Sequence, residues 1–169
     1  MRSYSRSCPN LSGFTLMETM FAITVLAFSV AALTQAVVSG QSHTYEAMHS
    51  SRAITLAEAM IDEVLSKPYD DPDGDIIVGP DAGESSRDLF DAADDFDGLT
   101  EALGAVQDQS GTAYPELYQN FGRTVATAYT TESFPDLGGD HDGLTVTITI
   151  TDMNGRTWTV TRFIQEPAS

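Results

Sequence analysis

Hydrophobic and polar positions divide the chain into stretches of different pattern. From Phe14 to Val38 it runs FTLMETMFAITVLAFSVAALTQAVV, apolar throughout, with Glu18 as the only charge. The next ionisable residue is His43 and the next formal charge is Glu46. Met20–Val38 alone gives 19 uncharged residues, which as a helix rise about 28 Å and match the hydrocarbon thickness of a bilayer. Met1–Gly13, ahead of this run, are polar and basic with no helical period.

Beyond the apolar run the pattern becomes amphipathic. Between Gln41 and Ser66, the residues Ile54, Ala57, Ile61, Val64 and Leu65 recur at spacings of three and four, widened by Leu56 and Met60. Arg52, Glu58, Asp62 and Glu63 lie off the centre of that stripe, so this half predicts a helix packed on a domain. Pro68 sets its end, because the residue before a proline is pushed out of helical geometry. One helix over 14–66 would be about 80 Å long. Gly40 is its weakest point, since a helix-interior glycine costs about 1 kcal/mol relative to alanine.

From Tyr69 to Pro115 the chain is rich in Asp and Gly. This composition predicts a loop-dominated connection with a short strand at 76–78 and a helical turn near 88–95. The last third alternates with period two. Phe121–Tyr129 and Leu144–Thr151 read as strands, Asn154-Gly155 as a tight hairpin turn, and Thr157–Phe163 as the returning strand. Three antiparallel strands with one apolar face need a cover, and the amphipathic helix half is the available one. The fold class is therefore α+β, a long N-terminal helix packed on a C-terminal antiparallel sheet.

Three readings of the N-terminus compete. A secretory signal would be cut after the apolar run, near Val38-Ser39-Gly40. A plain single-pass anchor gives Glu18 no task, although a charge inside a spanning helix costs about 2.5–3.5 kcal/mol on insertion scales. A glutamate snorkelling to the headgroups from near the helix end is the bland account of that residue. The third reading comes from Gly13-Phe14-Thr15-Leu16-Met17-Glu18, which resembles the cleavage motif of type IV prepilins and type II secretion pseudopilins. The resemblance implies that a prepilin peptidase cuts between Gly13 and Phe14 and that the new N-terminal Phe14 is N-methylated. It implies that Glu18 serves assembly, pairing in a filament with the Phe14 amine of a neighbouring subunit; buried charges are tolerable when paired. The helix end Leu56–Tyr69 and the acidic segment Phe90–Gly98 look like those of minor pilins of the PilV and MshD kinds, although only the leader motif is diagnostic. Many pilins carry a helix-loosening proline about two-thirds through the apolar half, and none lies between Phe14 and Pro68 here.

Charge and cysteine usage narrow the setting. The formal charge is −17, from 8 basic and 25 acidic residues. Arg2 and Arg6 precede the cut and no acidic residue does, so the chain from Phe14 carries 6 basic and 25 acidic residues, a formal −19. That balance excludes nucleic acid as a partner, because phosphate neutralisation needs clustered Lys and Arg. Arg2 and Arg6 also place the N-terminus on the cytoplasmic side. Cys8, the single cysteine, lies in the leader, so the processed chain would have neither thiol nor disulfide.

The pattern D-x-D-G occurs at Asp71–Gly74, Asp95–Gly98 and Asp140–Gly143. Alternating carboxylates before a glycine can aim oxygens at Ca²⁺, and Asp71, Asp73 and Asp75 form the best candidate set. The competing account is turn chemistry on an acidic surface. None completes an EF-hand, because Pro80, Gly104 and Thr149 stand where its glutamate is required. No catalytic set appears: His43 and His49 are six apart on the helix, His141 is isolated, and no G-x-S-x-G frames a serine. Trp158 reads as core or sheet surface. An enzyme is not expected, nor any cofactor other than this candidate Ca²⁺.

The expected organisation is a leader over 1–13, a membrane or filament-core half-helix over 14–40, an amphipathic half over 41–67, an acidic loop region over 68–117 and a sheet over 118–169. The expected function is a structural subunit, a minor pilin of a type IV pilus (fimbrium) or related filament. The alternatives are a pseudopilin of a type II secretion system and an unprocessed membrane-anchored binding protein. Prepilin peptidase, other pilin subunits and the bacterial inner membrane are the implied partners, with the C-terminal domain outside the cytoplasm.

Overall fold

A computed structural model describes residues 15–72, 77–135 and 138–167. Gly13, Phe14, Asp73 and Asp75 lie outside the described residues. The chain divides into two compact units, one ending at Glu46 and one spanning Ala47–Ser169.

The first unit contains the N-terminal part of helix α1 (Leu16–Leu65). Thr15 caps the helix, its Oγ1 accepting from the Glu18 N–H at 3.3 Å. The helix continues through Gly40 without a break, and a Cβ added at Gly40 would meet nothing. The weak point expected there leaves no mark on the geometry.

The second unit is α+β. Its sheet has the order β1-β2-β3-β4, all antiparallel: β1 (Thr100–Glu101), β2 (Phe121–Phe134), β3 (Gly139–Asp152) and β4 (Thr157–Gln165). Period-two alternation sends Phe121, Val125, Leu144, Val146, Ile148 and Ile150 to one face. The helix residues Ala53, Leu56, Ala57, Met60, Ile61 and Val64 form a single buried stripe against them. Fully burying a side chain such as Leu56 or Met60 contributes about 1.5–3 kcal/mol. The opposite face carries cross-strand threonine pairs, Thr147 with Thr161 and Thr149 with Thr159, as β-branched residues on a pleated surface favour.

The strands extend past their expected ends, to Phe134 in β2, back to Gly139 in β3 and to Gln165 in β4. The hairpin after β3 turns where Asn154-Gly155 places it, but its loop has three residues, Met153 to Gly155. Asp152 and Arg156 close the ladder and Gly155 supplies the positive φ of 76°.

The connecting region departs most from expectation. Of the strand expected at 76–78, residue 76 lies outside the described residues, and Ile77 and Val78 lie in bends, with Ile77 71% exposed. The segment 88–95 makes reverse turns in place of a helical one, closed by Leu89 N–H to Ser86 O and Asp97 N–H to Asp94 O. The same loop drives Phe90, Ala93, Phe96 and Val106 into the core. On the helix, Glu63 is buried and not off the apolar face, whereas Ile54 and Leu65 are exposed. Trp158 packs against the core as a half-buried strand residue.

Candidate functional site

Two surfaces carry chemistry, one in each unit. In the first, Leu16 to Val38 is uncovered. Its large apolar side chains run from 54% exposed at Val30 to 82% at Leu16. Among the described residues α1 is the one helix long and apolar enough to cross a membrane, with mean hydropathy 2.1 over its most apolar window. The hydroxyl residues Thr19, Thr24, Ser29 and Thr34 fall every five positions, which distributes them around the helix. Each donates back to a carbonyl three or four residues earlier: Leu16, Phe21, Val25 and Val30, at 2.7–2.9 Å. These hydroxyl hydrogens are therefore satisfied within the helix, as an apolar surrounding requires. Glu18 stands in the first turn, where a carboxylate meets the positive end of the helix dipole. Thr15-x-x-Glu18 is also the sequence of a capping box, of which the threonine half is made.

In the second unit, the low number of cations is spent on fixing loops. Arg123 lies on the inward face of β2 at 2% exposure. Its Nε donates to Glu101 Oε2 at 2.6 Å, and its other nitrogens donate to the carbonyls of Leu56 and Gln107. Arg87 bridges Glu63 of the helix to Glu101 of β1. Burial pulls the Arg123 guanidinium below its ordinary pKa, and the Glu101 carboxylate opposes that pull. This network anchors the acidic loop to helix and sheet at once.

Asp152 ends β3. Its Oδ1 accepts from the N–H groups of Asn154 and Arg156, and its Oδ2 from Arg156 Nε at 2.8 Å and beside His49 Nε2 at 3.1 Å. Burial alone would raise this carboxyl; the Arg156 N–H and guanidinium, the Asn154 N–H and His49 outweigh it and hold it far below the usual carboxylate range. Sequence reading missed both His49 and Asp152. The available signal was an aspartate two residues before Asn154-Gly155, the position of an Asx turn.

Two of the D-x-D-G carboxylates, Asp95 and Asp97, serve the backbone. Asp95 Oδ2 accepts from the Asp91 and Ala92 N–H groups, and Asp97 Oδ1 from Thr127 N–H. Asp142 Oδ1 accepts the Thr131 hydroxyl at 2.5 Å. Of the candidate Ca²⁺ set only Asp71 is described, half-buried. Among the described residues, Glu84, Asp91 and Asp95 bring carboxylate oxygens within 4.8 Å of one another. Glu84 in that group already accepts from the Asp81 and Asp91 N–H groups.

A pocket of about 300 Å³ lies on the head, lined by Tyr69, Tyr129, Thr130, Thr131, Asp142, Gly143 and Glu166. The two tyrosine rings meet edge to face with centroids 6.0 Å apart. The Tyr129 hydroxyl donates to Asp94 Oδ2 at 3.0 Å. Asp94 is 1% exposed, and its Oδ1 has no hydrogen-bond partner among the described residues. Burial raises the Asp94 carboxyl above its ordinary range, against the lowering effect of the Tyr129 hydroxyl. No local pattern in the sequence signals this pocket, because its walls come from four distant segments.

No family model, curated protein or solved structure matches this chain.

Proposed function

We propose that the chain is a structural subunit of a membrane-rooted filament, a minor pilin of a type IV pilus or related fibre. It is assembled through α1 after cleavage between Gly13 and Phe14 and N-methylation of Phe14. The observation that carries this reading is the uncovered apolar segment Leu16–Val38, which needs lipid or neighbouring helices around it. It supports a subunit that waits in the bacterial inner membrane, with its C-terminal domain outside the cytoplasm, and then enters a bundle of like helices. The leader motif supplies the processing step, with prepilin peptidase and other pilin subunits as partners. Glu18 is the register device: paired with the Phe14 amine of a neighbour, it fixes the axial offset between subunits at a site where neither charge is stable alone. The role is structural, without catalysis and without nucleic acid.

Mass spectrometry of the assembled protein tests the proposal, which expects a chain beginning at methylated Phe14. Gly13→Leu should leave full-length protein in the inner membrane and abolish incorporation. Glu18→Ala should be inserted and cut normally yet fail to assemble. An intact Met1 in the functional protein, or unimpaired incorporation of Gly13→Leu, overturns the reading in favour of an unprocessed membrane-anchored protein.

A further inference from the structure

The geometry points to the Tyr69–Tyr129 pocket as a binding site for an organic cation, a guanidinium or alkylammonium group. The walls combine two aromatic rings with the carboxylates of Asp142 and Glu166 and the hydroxyls of Thr130 and Thr131, and none of the lining residues is basic. Aromatic faces and carboxylates together attract a cation that carries several N–H donors on an apolar stem. Behind the Tyr129 hydroxyl, Asp94 holds a buried carboxylate with one unpartnered oxygen. Asp94 does not itself line the pocket; its Oδ2 is held by the Tyr129 hydroxyl, and its charge behind that ring adds to the field a cation in the pocket would meet. Asp70, Asp94, Asp142 and Glu166 all bear electrostatically on the Tyr69 hydroxyl.

Metal coordination fits the pocket less well. Ca²⁺ needs six to eight oxygens converging within roughly 2.3–2.6 Å. Among the described residues the close convergence of three carboxylates occurs at Glu84, Asp91 and Asp95, and not around this cavity. Separated carboxylates with tyrosine between them suit a larger ion whose charge is spread. Four of the described cations are committed elsewhere: Arg87 and Arg123 to Glu101, Arg156 to Asp152, and Lys67 to the Phe90 carbonyl; neither Arg52 nor Arg162 lines the pocket. With no described basic residue in its lining, the pocket would take its cation from outside, as a free small molecule or as a basic side chain of another protein.

The test is amide NMR of the full chain in detergent micelles, titrated separately with methylguanidinium, an acetyl-Gly-Arg-Gly-amide peptide and Ca²⁺. Methylguanidinium should shift the amides of Thr130, Thr131 and Gly143. Glu166→Gln and Asp142→Asn should each weaken binding about fivefold, as loss of one partner of an exposed ion pair does. Glu166 is exposed at the end of β4, so its variant keeps the fold. A peptide that binds more tightly than methylguanidinium identifies a protein side chain as the source, and equal affinity identifies a small molecule. Absent shifts, shifts unchanged in both variants, or Ca²⁺ shifting the same amides at lower concentration overturn the inference.

Discussion

His49 on α1 and Asp152 at the end of β3 are 103 residues apart and meet at 3.1 Å, both buried, with the His49 ring against Phe121 and Trp158. The contact ties the cover helix to the β3–β4 hairpin at the point where Asp152 also organises the turn. Asp152→Ala removes the acceptor for two turn N–H groups and for Arg156, and should destabilise the head by about 3 kcal/mol. Urea unfolding of the full chain in detergent, followed by Trp158 fluorescence, measures it.

The same aspartate sets an acid limit. Its folded pKa lies below the unfolded value, so its contribution is present above the ordinary carboxylate range and is lost as pH falls through the folded pKa. Stability should decline with acid below roughly pH 4, and Asp152→Asn should flatten that decline.

Asp94 works in the opposite direction. Burial lifts its folded pKa above the unfolded value, so stability rises as pH falls through the folded pKa and is lowest, for this group, at neutral pH. Asp94→Asn should make the head more stable at pH 7 and remove that rise. Tyr129→Phe deletes the donor to Oδ2 and should cost about 1–2 kcal/mol at neutral pH. Thermal unfolding between pH 4 and 8, run on both variants, separates this carboxyl from Asp152.

Glu101 joins Arg87 and Arg123 under the loop. Glu101→Ala leaves Arg123 buried and uncompensated, with an expected loss of about 3–5 kcal/mol. Replacing both partners, Glu101→Leu with Arg123→Met, should cost less than Glu101→Ala alone. A double-mutant cycle in urea decides between these outcomes.

Gly143 and Gly40 should respond oppositely to alanine. A Cβ at Gly143 would overlap the Ile164 carbonyl oxygen and the Phe163 ring, so Gly143→Ala should destabilise the β3–β4 ladder by more than 1 kcal/mol. At Gly40 the same change meets open space inside a helix and should raise helix stability by up to about 1 kcal/mol. Circular dichroism melts of the two variants give the comparison.

Much of this architecture is local chemistry and was legible along the chain. The apolar run, the three-and-four spacing of Ala57, Ile61 and Val64 and the alternation of β3 each reflect a period that hydrophobic burial imposes on one element, and the stop before Pro68 is set by the proline itself. The turn at Asn154-Gly155 likewise needs only a residue tolerant of positive φ. What the tertiary structure alone decided has no period. Two residues became β1 because Val125 N–H and Gly98 N–H found partners across the gap. Arg123 took a core position because Glu101 and the carbonyls of Leu56 and Gln107 satisfied it there. Buried polar groups choose their place by the partners that arrive from distant segments, and the sequence of any one segment does not contain those partners.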